Sequence, residues 1–260
     1  MTNTKVSILI ANYNGEKFIP DCINSLKEQT YKNIEVIFFD DFSKDNSINE
    51  IKKFDNIKII ENKKKTNMGS FNQMNAYKQA FELSTGEIIL FLDSDDYFER
   101  NKVEEVVKFY NNNLNAKIVF DLPFIKKKDK IKTIKKNNKL FKSLWPYIHP
   151  QSCISIKKEY FKEILKKIFT DNFYDIWMDF RICIYSKYIL NKYYILNKNL
   201  TYYRQSDANI SSKFKHLSAN WWKRRFQAHK YLESFLISNN IKYKKNLDYF
   251  ITSIYNKFIN

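Results

Sequence analysis

Residues 93–96, Asp93-Ser94-Asp95-Asp96, set three carboxylates within four positions at the end of the apolar run Glu87 to Asp93. Buried without partners, such a cluster would be very costly. At the carboxyl end of a strand it suits a hard cation, because Mg²⁺ or Mn²⁺ takes oxygen ligands and bridges one or two carboxylates to phosphates. A polar turn capping the next helix is the bland alternative. A second acidic group, Asp40-Asp41-Phe42-Ser43-Lys44-Asp45, also ends an apolar run. One carboxylate there could accept from a base N–H or a ribose hydroxyl, while Ser43 or Asp45 could cap the following helix. The third group is Ala11-Asn12-Tyr13-Asn14-Gly15. Tyr13 could lie against a flat base and the amides could bond its edges, although a plain strand-to-helix turn explains these residues equally well.

The elements that must position these groups read clearly over the first 120 residues. Lys5 to Ala11, Ile34 to Asp40, Ile57 to Ile60 and Glu87 to Asp93 are short apolar runs rich in Val, Ile and Phe, as buried strands of a largely parallel sheet are. Phe18, Ile19, Cys22, Ile23 and Leu26 share one helical face, with Pro20 tolerable in the first turn. Further helices are expected from near Asp45 and from Ser70 to Leu83, the latter ending before Gly86. Strand alternating with helix predicts a doubly wound, mostly parallel α/β sheet with ligands at the carboxyl ends of its strands. Beyond Asp121 the pattern loosens. The basic run Lys126 to Lys139 reads as an exposed hairpin or mobile loop. Helices near Lys157 to Phe169 and Asp175 to Lys187, strands around Tyr193 to Arg204, and two helices from about His216 onward complete the expectation.

The 260 residues can bury a substantial core, and 22 Phe with 18 Tyr exclude a disordered chain. Cys22, Cys153 and Cys183 lack zinc or redox spacing and read as buried thiols. The net charge of +17 is uneven: residues 1–120 hold 16 Lys/Arg against 18 Asp/Glu, and residues 121–260 hold 29 against 10. So basic a rear segment suggests an anionic neighbour or a solvated Lys-rich surface. Nucleic acid is one such neighbour, but no nucleic-acid motif is present, and the acidic clusters occupy the strand ends where a ligand should sit. Trp221-Trp222-Lys223-Arg224-Arg225 suits a membrane interface or core packing. With no apolar run near the start long enough for a signal or span, cytoplasmic residence is expected, and the basic rear segment suits peripheral attachment to the inner face of the membrane.

The three clusters in this order, with Asn67-Met68-Gly69, Asn75 and Thr85-Gly86-Glu87 between them, resemble the family 2 glycosyltransferases of bacterial surface-glycan type and their A-type nucleotide-sugar fold. The resemblance implies an inverting transfer from a nucleoside diphosphate sugar, UDP-linked by expectation, to a surface polysaccharide, lipooligosaccharide or lipid-linked glycan. It implies donor contacts from Ala11, Asn12, Tyr13, Asp41, Asn67, Gly69, Asn75, Asp93, Ser94 and Asp95, with Asp93 and Asp95 holding Mn²⁺ or Mg²⁺. Trp177-Met178-Asp179-Phe180-Arg181 is similar to the family's acceptor-side acidic motif, which makes Asp179 the general base; Met178 stands where relatives often carry Glu. Tyr203-Arg204-Gln205-Ser206-Asp207-Ala208-Asn209-Ile210-Ser211 resembles a late loop that closes over the donor, with Ser206 in place of a frequent His. Asp96, His149, Trp177, Met178 and Arg204 are expected toward the acceptor or this lid. Residues 1–210 would form the catalytic domain, its nucleotide-sugar half over 1–120 and its acceptor half over 121–210, with 211–260 a basic helical extension. A non-catalytic relative serving as a membrane-bound assembly partner is the remaining rival; the intact Asp93 and Asp95 argue against it.

Overall fold

The computed structural model describes residues 3–135, 144–170, 172–192, 194–205 and 214–259. Strands β1 (Val6–Asn12), β2 (Ile34–Asp40), β3 (Ile57–Glu61) and β4 (Ile88–Asp93) pair in parallel in the order β3-β2-β1-β4. Helices α1 (Ile19–Lys27), α2 (Ser47–Ile51) and α3 (Gly69–Glu82) connect them. Alternate side chains feed opposite faces, as a strand's period of two requires. Ile8 and Ile10 of β1, with Leu90 and Leu92 of β4, join α1 and helix α4 (Lys102–Asn112) in one core. Leu9, Ile37 and Phe91 point the other way, against α3. Both faces are covered, so the doubly wound expectation holds.

The second half departs from the parallel pattern. Strand β8 (Ile154–Lys157) runs antiparallel to β4 and to β6 (Ile118–Lys127). Strand β9 (Tyr194–Arg204) pairs parallel to β6, and the short β5 (Tyr97–Phe98) closes the edge antiparallel to β9. The sheet is therefore mixed. β6 falls on a stretch that reads as loosened because Asp121 and Pro123 interrupt its apolar run, and the β6–β9 register shifts on both sides of Leu122. The basic run forms a hairpin of β6 with β7 (Lys130–Thr133), turning through Lys128 at φ 52°; residues 136–139 of that run lie outside the described residues.

Helices α5 (Lys158–Ile168) and α6 (Met178–Tyr188) pack with α3 on the Phe91 face, and α7 (Ala219–Ser238) joins the same core through Ala228, Tyr231, Leu232, Phe235 and Leu236. Helix α8 (Leu247–Ile259) lies on α7. The three cysteines are buried free thiols, as expected.

Candidate active site

The strand order reverses around β1, whose neighbours are β2 on one side and β4 on the other. Connections leave β1 and β4 in opposite directions there, which opens a crevice at the carboxyl ends. Register brings the three clusters together in it: Asn12 lies opposite Asp40, and Ala11 opposite Asp93. Gly15 lets the first loop close over the acidic turn, since a Cβ at that position would come within 2.3 Å of Asn12 Oδ1 and 2.8 Å of Ser94 Oγ.

On the β2 side, Asp40 is committed to the loops. Its Oδ1 accepts from Asn12 Nδ2 (2.7 Å) and Ser43 Oγ (2.6 Å), and its Oδ2 accepts from the Ser43 amide (2.9 Å). Asn12 is thereby buried as a loop organiser. Asp41 accepts from Asn62 Nδ2 at 2.9 Å; burial pushes its carboxyl up, partly offset by Asn62 and by the nearby Lys65. Lys65 stands 2.8 Å from the centre of the ring of Tyr13, a residue that is 48% exposed. Phe42 holds φ 61°, a left-handed conformation that is unusual for a bulky residue and concentrates at ligand-binding turns. Asn67 is exposed, and Asn75 is half-buried on α3; Asn72, one turn earlier, holds the loop by accepting from Thr66 Oγ1 at 2.7 Å.

On the β4 side, Asp93 Oδ1 accepts from Tyr77 Oη (2.7 Å) and Gln73 Nε2 (3.2 Å), two α3 residues one helical turn apart. Burial, and then the charge of Asp95, push the Asp93 carboxyl up to about 7. Asp95 is raised by burial against its own backbone amide and the charge of Arg204. Gln73 Oε1, beside Asp93, is a buried oxygen with no donor among the described residues. Two adjacent carboxylates lifted by burial, with an orphaned oxygen alongside, fit a divalent cation. Among the described residues no three His, Cys, Asp or Glu side chains are arranged to hold one, so oxygens from water or a ligand would have to complete its shell.

Asp96 is different. It is fully buried, its Oδ2 accepting from Ser152 Oγ (2.6 Å) and its Oδ1 from the Arg204 amide (2.9 Å). Ser152 Oγ in turn accepts from the Asp93 amide at 3.0 Å. Asp96 therefore ties β4, the 3₁₀ turn Gln151–Cys153 and the end of β9 together, rather than facing an acceptor. His149 is likewise enclosed, stacked on Phe120 at 4.7 Å with Nδ1 3.0 Å from the Asp121 carbonyl, and burial lowers its pKa to about 4. Met178 is fully buried in the core. Asp96, His149 and Met178 are thus all fully buried, and none presents an exposed side chain to an acceptor. The Arg204 side chain pairs with Asp21 and lies over the Tyr97 ring (4.7 Å). Residues 206–211 of the expected lid lie outside the described residues.

Asp179 sits in the first turn of α6 and accepts from the Phe180 amide at 2.6 Å. Burial raises its pKa and Arg224 of α7 opposes the rise; its charge in turn contributes to the upward push on Asp93. The base candidate and the metal candidate thus share one electrostatic field. Trp177 closes against α3, its Cη2 3.0 Å from where a Cβ of residue 69 would stand, so Gly69 makes room for it. Arg181 fixes the preceding loop. Fully buried, it donates from Nε to the Ile176 carbonyl (2.8 Å) and from its terminal nitrogens to the carbonyls of Ile168 (2.8 Å), Thr170 (3.0 Å) and Phe173 (3.1 Å). Tyr77, Gln73, Ser152 and Arg224 escape a sequence reading; the four-residue spacing of Gln73 and Tyr77 on one helix face was their only signal.

Residues 7–174 match the family Glycosyl transferase family 2. An uncharacterised glycosyltransferase of Nostoc sp. is 31% identical over 233 residues, covering 83% of this chain and 67% of the relative. The Escherichia coli UDP-Glc:α-D-GlcNAc-diphosphoundecaprenol β-1,3-glucosyltransferase WfaP is 38% identical over 104 residues, 40% of each chain. The chain thus spans two thirds of the Nostoc relative and two fifths of the Escherichia coli one. In three dimensions it is similar to Staphylococcus aureus TarS 1-349 solved in complex with UDP-GlcNAc, at TM-score 0.64 and 17% identity, over 98% of this chain and 71% of that one.

Proposed function

Because the chain belongs to family 2 of the glycosyltransferases and carries their A-type fold, we propose that it moves a hexosyl or N-acetylhexosaminyl group from a UDP-sugar to a hydroxyl of a bacterial surface polysaccharide, lipooligosaccharide or lipid-linked glycan, with inversion. The observation that carries the reading is the convergence of Asp41, the Asp93/Asp95 pair and Asp179 on one crevice at the reversal of strand order. The names of WfaP and of the TarS complex support a UDP-sugar donor and a glycan acceptor.

In this reading Tyr13 receives the base against its exposed ring, and Asp41 accepts from a base N–H. Asp93 and Asp95 would hold Mn²⁺ or Mg²⁺, which when bound neutralises charge on the leaving diphosphate. Tyr77 and Gln73 fix the orientation of Asp93, and Ser152 fixes its amide. Asp179 takes the proton of the acceptor hydroxyl as the oxygen attacks the anomeric carbon and the bond to the diphosphate breaks on the opposite face. Its upward-shifted pKa suits a base working near neutral pH. Trp177 walls the acceptor side. Cytoplasmic residence, where UDP-sugars are made, accompanies the proposal.

Calorimetry of UDP binding tests it. Affinity should require Mn²⁺ or Mg²⁺ and should be lost with Asp95→Ala; equal affinity with metal and with chelator would remove Asp93 and Asp95 from the metal role.

A further inference from the structure

Helix α8 turns six large apolar side chains to solvent: Leu247 (74% exposed), Phe250 (54%), Ile251 (40%), Ile254 (55%), Tyr255 (49%) and Phe258 (85%). Steps of three and four place them on one stripe, an arc of about 140° at 100° per residue. Tyr249 and Thr252, on the opposite side, are buried. The helix is held firmly in this orientation. Asp248 accepts from Arg225 Nε (2.9 Å) and Nη2 (2.7 Å) and from Trp145 Nε1 (3.0 Å), and lies 3.0 Å from His229 Nε2. Trp222 adds a stacked contact with Tyr255 at 4.4 Å. The paired tryptophans are therefore half-buried supports, and the exposed apolar surface belongs to α8.

Contiguous apolar surface of this kind marks a contact face, and the charges around it select the occupant. Lys242 and Lys244, just before the helix, and Lys257, on the edge of the stripe, are exposed and form no ion pair with the described residues. The helix's one acid, Asp248, faces inward. An isologous contact with a second copy would bring these lysines toward one another, with no carboxylate on the stripe to offset them. An anionic lipid surface answers both features, since the apolar stripe enters the acyl boundary while the lysines remain among the headgroups.

The geometry points to α8 as a peripheral docking helix for an anionic phospholipid bilayer. Among the described residues no helix is long and apolar enough to cross a membrane, so attachment through α8 lies in the plane of the interface. The helix rests on α7, which also carries Arg224 toward Asp179. Docking would thus set the base side of the crevice near the membrane, where a lipid-linked acceptor resides. This purpose rests on the proposed transfer reaction, whereas the docking itself does not.

Flotation of the full chain with vesicles of phosphatidylcholine alone, or of phosphatidylcholine mixed with phosphatidylglycerol, tests the inference. The wild type should float with the mixed vesicles and not with the neutral ones. Lys242→Gln/Lys244→Gln/Lys257→Gln should reduce partitioning on the order of 10- to 100-fold, and added salt should mimic it. Phe250→Ser/Ile254→Ser/Phe258→Ser should abolish flotation, and both variants should bind UDP like the wild type. Flotation of the serine variant at the wild-type level would overturn the inference. So would a wild-type dimer that this variant dissociates while vesicles capture neither, since a second copy would then cover the stripe. Failure of UDP binding in the wild type would instead count against the donor reading and leave the flotation result standing.

Discussion

Replacing Lys102 by Met should destabilise the protein by about 3–5 kcal/mol, the usual consequence of removing one partner of a buried ion pair. Lys102 and Asp121 have side chains 1% and 2% exposed and an Nζ–Oδ2 distance of 2.8 Å. The ammonium spends its other donors on the Ser152 carbonyl (2.5 Å) and Thr201 Oγ1 (2.6 Å), and the Thr201 hydroxyl bonds Asp121 Oδ1 at 2.7 Å. Methionine preserves the length and apolar contact of the stem, which lies against Phe98 with Nζ 4.0 Å from the ring centre. The Asp121 carboxylate is then left buried with Thr201 alone. At about 2–4 °C per kcal/mol for chains of this size, the melting temperature should fall on the order of 10 °C. Asp121→Leu alone should cost a similar amount. The double variant Lys102→Met/Asp121→Leu should recover most of the loss, because neither charge remains to be neutralised. Thermal and urea unfolding of the four proteins measure the cycle. A Lys102→Met variant melting within about 2 °C of wild type, or a double variant as unstable as the summed singles, would refute the argument.

Three other outcomes follow from the geometry. Asp179→Asn should lower turnover by about 10²- to 10⁴-fold with UDP affinity and melting temperature nearly unchanged; normal transfer to the true acceptor would remove it as base. Arg181→Lys, which cannot reach four carbonyls at once, should lower kcat by misplacing Trp177 and Asp179 while UDP affinity holds, and equal losses in kcat and UDP affinity would indicate general unfolding instead. Burial pushes the Glu35 carboxyl up, but bonds from Ser7, the Thr85 amide, Lys58 and the Thr85 hydroxyl outweigh it and hold its pKa well below the usual range. A depressed carboxylate stabilises the fold above its unfolded pKa and stops doing so as pH falls through the folded one. Glu35→Gln should therefore cost about 1.5–3 kcal/mol near neutrality, and its gap to wild type should narrow in urea titrations at about pH 3; a gap independent of pH would contradict the assignment.

The strands that carry the site were legible because β1, β2 and β4 are buried on both faces and read as unbroken apolar runs. Parallel pairing then follows from the helices between them. β6 and β8 were not legible. Pro123 and Asp121 break the first, and Ile154–Lys157 alternates over only four residues. The clusters at Asn12, Asp41 and Asp93 could be found because each follows such a strand. Local sequence gives no clue that Asp96 is spent on Ser152 and the Arg204 amide, since its partners lie 56 and 108 residues away. Nor could it separate Asp96 from Asp95: the two acids are adjacent and chemically alike, and only the turn between β4 and β5 sets Asp96 inward. Aromatic composition carries no direction, so the sequence could not tell that Trp221 and Trp222 are half-buried while α8 turns its apolar side chains to solvent.

The two cores on either face of the sheet each draw on residues before and after position 120. One joins Phe91 and Tyr77 to Phe161, Ile182 and Leu232; the other joins Ile10 and Val106 to Val119, Leu196 and Leu200. A chimera cut there would expose two incomplete interiors, and one cut just before α7 would strip Tyr231, Leu232 and Phe235 from the first. Donor and acceptor preferences in this scaffold are therefore not exchangeable cassettes. On the proposed assignment, sequences with new specificities should reach them by point changes on the rims around Tyr13 and Trp177, and libraries that shuffle halves of relatives should return chains that aggregate rather than enzymes with mixed substrates.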